Sequence, residues 1–214
     1  MTDRGSRVGP WVACSPFDLV AIAGSAGAFR PLQTLLRCLT PGFGVAVVVV
    51  QHRAGGRDLL PRVLAEATAL EVRPALDGDV LHRGVVHVAP ARGTLTVSRG
   101  GVLHRSGSDR QPCRADPLFE SAAQVYGEHV IGVVLSGRLD DGARGAQTIK
   151  RVGGRVLVQH PDTARYPAMP TACLATGAAD FAFPVESLAH ALLALTTSGL
   201  AAEMFRVPMP AWAS

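Results

Sequence analysis

Two stretches limit the fold more than anything else in the chain. "GVAVVVVQH" (44–52) and "HVIGVVLSG" (129–137) are nearly continuous runs of β-branched and small apolar residues, without polar alternation. A strand with one face in water alternates; a strand buried on both faces does not. Each run is too short for a membrane span, which needs 18 or more apolar residues. Both are bounded by glycine or polar residues. They predict central strands of a parallel sheet covered by helices on both faces.

Three further runs extend the pattern: "FDLVAIAG" (17–24), "GVVHVAP" (84–90) and "GRVLVQ" (154–159). Helical periodicity fills the intervals. "AFRPLQTLLRCL" places Phe29, Leu32, Leu35, Leu36 and Leu39 on one stripe. "RDLLPRVLAEAT", "DPLFESAAQVYG", "GARGAQTIKRVGG", "PTACLATG" and "VESLAHALLALTTS" read as further helices, the third of these stopped by Gly153-Gly154. Alternating strands and helices predict an α/β fold, a mainly parallel sheet flanked by helices as a three-layer sandwich. Residues 72–105 depart from it. "VHVAP", "GTLTVSRGG" and "VLHRS" read as short strands with glycine turns, a short antiparallel excursion at one edge. No internal repeat or low-complexity linker is visible, so one domain is expected.

Composition narrows the class. Hydrophobic residues make up 48% and charged residues 18%, as in a globular chain. Aromatics are only 5%, so Val, Leu, Ala and Ile must build the core. The net charge is +4, yet Lys150 is the only lysine, and the arginines are scattered rather than blocked. Nucleic-acid binding is not expected; a mildly basic surface meeting an acidic protein is. Cys14, Cys38, Cys113 and Cys173 lie far apart with no CxxC spacing, which argues against zinc and disulfides and for free thiols in a reducing, cytoplasmic setting. The segment before the first strand carries charge and lacks an apolar h-region, so it reads as a flexible leader over 1–16, not a secretory signal. No metal, cofactor or membrane insertion is expected.

Ligands and catalytic groups of such sheets collect at the carboxyl ends of the strands. There the sequence places Gly24-Ser25-Ala26-Gly27, Gln51-His52-Arg53 and Ser136-Gly137-Arg138-Leu139-Asp140-Asp141-Gly142. The serine turn fits neither a phosphate loop nor a G-x-S-x-G elbow, because Ala23 stands where the first glycine belongs. Small neighbours still allow a sharp strand-to-helix turn that exposes the hydroxyl. Taken alone, Ser25 reads as a turn or N-cap residue, His52 as an imidazole bonded to a loop carbonyl, and the Asp pair as an N-cap. Together they meet a chemical need. A serine hydroxyl requires a general base, and the imidazole requires an acceptor that fixes its tautomer. The order Ser…His…Asp is not that of the α/β-hydrolases.

Six pieces in order carry a family resemblance: "IAGSAGA", "VVVVQH", "ALDGDVLHRGVVHVAPARGTLTV", "DPLFESAA", "IGVVLSGRLDDGARG" and "VQHPDTARYPAMPTA". Over about 17–197 the chain resembles the catalytic domain of the chemotaxis protein-glutamate methylesterases (CheB type). The resemblance implies a methylesterase-like domain over 17–200 with a tail over 201–214. It implies Ser25 as nucleophile, His52 as general base and Asp141, directly before Gly142, as the residue orienting the imidazole. It also implies an oxyanion held by the backbone N–H groups of Ala26 and Arg138. The implied reaction is hydrolysis of γ-glutamyl methyl esters on the cytoplasmic helices of a chemotaxis receptor, with glutamine deamidation in some members.

The chain departs from the family pattern at three places. It has Gly27-Ala28 where the family has Gly-Gly, Arg138-Leu139 where the family has Met-Gly, and Gln159-His160-Pro161 where the family has Gln-Asp-Pro. Leucine in a glycine position predicts a strained dihedral. A catalytically impaired receptor-binding module, or a hydrolase of another ester, are the competing readings. With about 16 residues before the first strand, an attached receiver domain is not expected, which leaves either a constitutively open site or regulation by a separate response regulator. Arg53, Arg57, Arg138 and Arg144 are expected to cluster at the rim and steer a glutamate-rich substrate.

Overall fold

The computed structural model describes residues 15–53, 58–107, 114–204, 207–208 and 210–213. Residues 1–14 of the leader expected over 1–16, among them Cys14, lie outside them, as do Arg57 and Cys113. The strands are β1 (Leu19–Gly24), β2 (Ala46–Gln51), β3 (Glu71–Pro74), β4 (Val85–Val88), β5 (Thr94–Ser98), β6 (Val102–Ser106), β7 (Val130–Val134), β8 (Arg155–Gln159) and β9 (Phe181–Phe183). The α-helices are α1 (Phe29–Cys38), α2 (Leu60–Ala65), α3 (Ala115–Tyr126), α4 (Ala143–Arg151), α5 (Ala168–Ala175), α6 (Val185–Thr197) and α7 (Gly199–Met204).

Seven strands form one sheet in the order β3-β4-β2-β1-β7-β8-β9, and every pairing in it is parallel. The runs read as doubly buried strands are its centre. Every residue of β1 and β7 is buried, as are all of β2 but Gln51. Because side chains alternate across a strand, β1 feeds two cores. Val20 and Ile22 join Leu32, Leu35, Leu36, Leu188 and Leu192 of α1 and α6 on one face. Leu19, Ala21 and Ala23 join Leu118, Phe119, Ala146 and Ile149 of α3 and α4 on the other. The three-layer sandwich is as the sequence predicts.

The antiparallel excursion is smaller than expected. Among the described strands β5 and β6 pair antiparallel, with one further antiparallel bridge from Val80 to Val102, and the hairpin is hydrogen-bonded to α3 through Val97 N–H and the Ser121 hydroxyl (3.1 Å). The "VHVAP" strand belongs to the main sheet as β4, between β2 and β3. Edge strands β3 and β9 are short and partly exposed, so they lack the apolar run that marks the central strands. Cys38 and Cys173 are free thiols, and burial pushes the Cys173 thiol up to about 12. Lys150 is buried in an ion pair with Asp180, whose carboxylate also accepts the Val156 N–H (2.7 Å). No described helix is long and apolar enough to cross a membrane.

Candidate active site

Strand order reverses between β1 and β7: from β1 the chain passes to β2 on one side, and β7, β8 and β9 build outward on the other. In open parallel sheets the crevice at the carboxyl end of such a reversal is where ligands bind. Ser25 follows β1, and Ser136-Gly137-Arg138 follows β7 two residues past its end. The Ser25 N–H donates to the Ser136 carbonyl (3.0 Å), which extends the β1–β7 ladder into the crevice. His52 follows β2, and its N–H donates to the Gly24 carbonyl (3.0 Å). Ser25, His52 and the Asp141 loop thus leave three adjacent strands at one rim.

The turn carrying Ser25 is tight. Gly27 has φ +76°, and a Cβ there would stand 2.8 Å from Ser136 Oγ and 3.0 Å from Tyr166 Cδ2. Gly137 matters more, although no sequence motif marks it out. A Cβ at Gly137 would lie 1.9 Å from Met169 Sδ and 2.9 Å from Ser25 Cβ. Only a bare backbone fits between Met169 and the serine. Gln159, at the end of β8, clamps the same loop: its Oε1 accepts the Ser136 N–H (2.9 Å) and its Nε2 donates to the Thr163 carbonyl (3.1 Å). His160 caps the short turn that follows, its Nδ1 accepting the Asp162 N–H (3.3 Å).

His52 and Asp141 are joined directly, Nε2 to Oδ2 at 2.7 Å. Asp141 is buried, whereas Asp140 is exposed, so the aspartate next to Gly142 is the one that reaches the imidazole. The carboxylate has three further donors: Ala115 N–H to Oδ2 (2.8 Å), Asp116 N–H to Oδ1 (3.3 Å) and Arg114 Nε to Oδ1 (3.4 Å). Two of these are free first-turn N–H groups of α3, which has no side-chain N-cap of its own. Asp141 therefore caps α3 from another part of the chain, at the positive end of its dipole. Burial alone would push the carboxyl up. The His52 hydrogen bond, the two amides and the His52 charge outweigh it and hold the pKa below the ordinary aspartate value.

The arrangement is reciprocal, and sequence reading missed its second half. Asp116, inside the first turn of α3, is 5% exposed, and its Oδ1 accepts the N–H of Gly142 (3.0 Å) and of Gly145 (2.8 Å). Asp116 thereby caps α4, whose N-cap is the left-handed Gly142. Each aspartate caps the helix that begins beside the other. Burial, followed by the charge of Asp141, raises the Asp116 carboxyl above its ordinary value despite the Gly145 bond. An acid opening "ADPLFESAA" was the available signal, but only the fold shows which helix it serves.

The Ser25 hydroxyl sits on the strand next to this pair and makes no hydrogen bond among the described residues, so the structure does not join Ser25 to His52. The amides of Ala26 and Arg138 likewise have no acceptor among the described residues, whereas those of Ser25 and Gly137 are bonded within the protein. Leu139 is the one non-glycine residue with positive φ among the described residues (+65°), as its glycine-like position predicts. Such a conformation costs about 1–2 kcal/mol. The side chain is 79% exposed and does not enter the crevice core.

Two of the arginines expected at the rim have partners within the protein. Arg53 is held by Asp58 and by the carbonyls of Gln51 (2.9 Å) and Ala89 (2.7 Å). Arg144 is bound to Glu120 (2.6 Å). Both are committed to structure because each has a carboxylate from its own neighbourhood within reach. Arg57 lies outside the described residues; Arg138 has no carboxylate partner among them and lies over the Tyr166 ring (4.8 Å). No group of three His, Cys, Asp or Glu side chains among the described residues is arranged to hold a metal.

These features define a doubly wound α/β protein whose rim carries a hydroxyl at the strand reversal and an imidazole–carboxylate pair on the neighbouring strands. Comparison with known proteins gives the family. The model of the CheB methylesterase family matches residues 20–192, and the chain belongs to that family. A protein-glutamate methylesterase/protein-glutamine glutaminase of Moorella thermoacetica is 36% identical over 84% of the chain, and the match spans 44% of that protein. A putative protein of the same name from Leptospira interrogans is 31% identical over 86% of the chain and 97% of its own length. The crystal structure of the Thermotoga maritima CheB methylesterase catalytic domain superposes with a TM-score of 0.79 at 29% identity, covering 84% of this chain and 99% of that one.

Proposed function

We propose that this protein is a serine hydrolase that removes methyl esters from glutamate side chains of chemotaxis or related sensory receptors in the cytoplasm, with deamidation of glutamine as a second reaction. The supporting observation is the His52–Asp141 bond at 2.7 Å beside Ser25, at the strand reversal of a family sheet. In this reading Ser25 is the nucleophile. Nε2 of His52 is committed to Asp141, so Nδ1 is the nitrogen that takes the Ser25 proton. Asp141 fixes the tautomer and stabilises the imidazolium.

Attack of Oγ on the γ-carbonyl carbon forms a tetrahedral intermediate. The free amides of Ala26 and Arg138 hold its oxyanion. The imidazolium returns the proton to the leaving methoxide, methanol departs, and a γ-glutamyl ester of Ser25 remains. Water, activated by the same imidazole, hydrolyses it and regenerates the hydroxyl. With glutamine the leaving group is ammonia. The contact between Ser25 and His52 closes when substrate excludes water from the crevice. Arg138 acts here through its backbone, and Leu139 points outward, so the departures from the family pattern leave the chemical groups in place.

Release of methanol from a methylated receptor fragment tests the reading. Wild type is expected to release it, and Ser25→Ala and His52→Ala to lose at least about a thousandfold in kcat while the fold survives. Binding of the receptor fragment without methanol release by the wild type would establish the non-catalytic module instead. Turnover of small esters alone would establish a hydrolase of another ester.

A further inference from the structure

Two features of the rim present side chains that neither the core nor the chemistry above uses. Leu139 holds a left-handed backbone at φ +65° and yet leaves 79% of its surface in water, so no burial offsets its strain. Strain that persists without packing is found where a surface is used. Beside it, the guanidinium groups of Arg138 and Arg165 lie over the Tyr166 ring at 4.8 and 5.7 Å. Both arginines are exposed, and neither has a carboxylate partner among the described residues. The nearby acids are engaged elsewhere or point away: Asp162 faces His160 (3.7 Å), and Asp140 is exposed without pairing to either arginine.

The stack is tied to the crevice. The Tyr166 carbonyl accepts the Gly137 N–H (2.9 Å), and Arg165 Cβ approaches within 3.0 Å of a Cβ position at Gly27. A groove of about 550 Å³ continues from it along α1, lined by Gly27, Phe29, Arg30, Pro31, Thr163 and Arg165. Phe29 is 37% exposed.

We infer that this rim is a docking surface for an acidic, amphipathic peptide segment, its carboxylates met by Arg138 and Arg165 stacked on Tyr166 and its apolar side chains by Leu139 and Phe29. The inference rests on the methylesterase reading and supplies that site with its substrate contacts. Planar guanidinium groups pre-ordered on an aromatic ring suit bidentate capture of carboxylates, which a lysine would meet as a point charge. Phosphates suit guanidinium groups too. The exposed leucine and phenylalanine beside them favour a peptide with apolar side chains over a nucleic acid. Because the stack is anchored to Gly27 and Gly137, a segment bound there is delivered to Ser25.

The test uses the whole chain and a labelled peptide alternating glutamate with leucine and carrying one glutamate γ-methyl ester. Binding is read by fluorescence anisotropy, and methanol release is read alongside hydrolysis of p-nitrophenyl acetate. Arg165→Glu is expected to weaken peptide binding about tenfold or more and to flatten its salt dependence. Leu139→Asn keeps a residue tolerant of the left-handed backbone, and is expected to weaken binding about threefold to tenfold. In both variants kcat/KM for the peptide should fall with binding, at least about fivefold more than for the small ester. Peptide binding at wild-type strength in folded variants overturns the inference while leaving the hydrolase reading intact, as does tighter binding of a labelled oligonucleotide than of the peptide. Arg165-dependent binding without methanol release by the wild type supports the docking surface and defeats the hydrolase reading.

Discussion

Asp116 offers the sharpest test of how the two helix starts hold the site. Its Oδ1 is the acceptor for two buried amides, Gly142 N–H at 3.0 Å and Gly145 N–H at 2.8 Å, while Oδ2 has only Arg144 at 4.0 Å. Asp116→Ala removes the acceptor and leaves both amides unpaired at the start of α4. Each orphaned buried donor costs about 1–3 kcal/mol, partly relieved by water, so the loss is about 2–4 kcal/mol. For a chain of this size that lowers Tm by roughly 5–15 °C. Asp116→Asn keeps an oxygen at the Oδ1 position and removes a buried charge beside Asp141. Its stability should stay within about 1 kcal/mol of wild type at neutral pH.

The pH dependence has a definite sign. The Asp116 carboxyl is raised in the folded state above its ordinary value of 3.8, so the folded state binds this proton more readily than the unfolded state. Its favourable contribution is therefore complete below about pH 3.8 and is lost as pH rises through the folded value. Asparagine carries no such dependence, so the stability of Asp116→Asn relative to wild type should improve as pH rises above about 3.8. Urea unfolding followed by circular dichroism between pH 3.5 and 7 measures both quantities (the range is approximate, about one unit either side of the carboxylate values). Equal losses in Asp116→Asn and Asp116→Ala would refute the argument, since charge rather than the acceptor geometry would then be what α4 requires.

Other consequences are equally open to measurement. Gly137→Ala places a Cβ 2.9 Å from Ser25 Cβ and 1.9 Å from Met169 Sδ, so it should cost about 1–3 kcal/mol and lower kcat for a small ester more than tenfold, roughly; pairing it with Met169→Ala should recover stability but not rate. Lys150→Ala strands the buried Asp180 carboxylate and should destabilise by about 3–5 kcal/mol in chemical denaturation. His87 is 1% exposed, and burial holds its pKa below the ordinary 6.5, so the unfolded state binds its proton first. Stability should accordingly decline as pH falls below about 6.5, and His87→Gln should flatten that decline in a Tm series.

Much of the architecture was legible in the chain. Continuous β-branched runs need apolar cover on both sides, and only a helix-flanked parallel sheet provides it. That requirement placed β1, β2 and β7 centrally and put Ser25, His52 and the Asp141 loop at one end. Edge strands β3 and β9 escaped notice because half-exposed strands of three or four residues carry no run to detect. The partners of Arg53 and Arg144 were hidden for a different reason. A guanidinium binds whichever carboxylate the fold brings near, and Asp58 and Glu120 reached them first.

The sequence by itself determined the layers of the sandwich, the rim at which chemistry can occur and the strain at Leu139, since each follows from side-chain type and local backbone. Tertiary structure alone decided that β2, β1 and β7 are neighbours, so that His52 and Asp141 meet across residues far apart in the chain. It alone decided that Asp141 caps α3 while Asp116 caps α4. The physical reason is common to all of these. A hydrogen bond or ion pair depends on distances within a few tenths of an ångström, and those are set only when two remote segments pack against the same core.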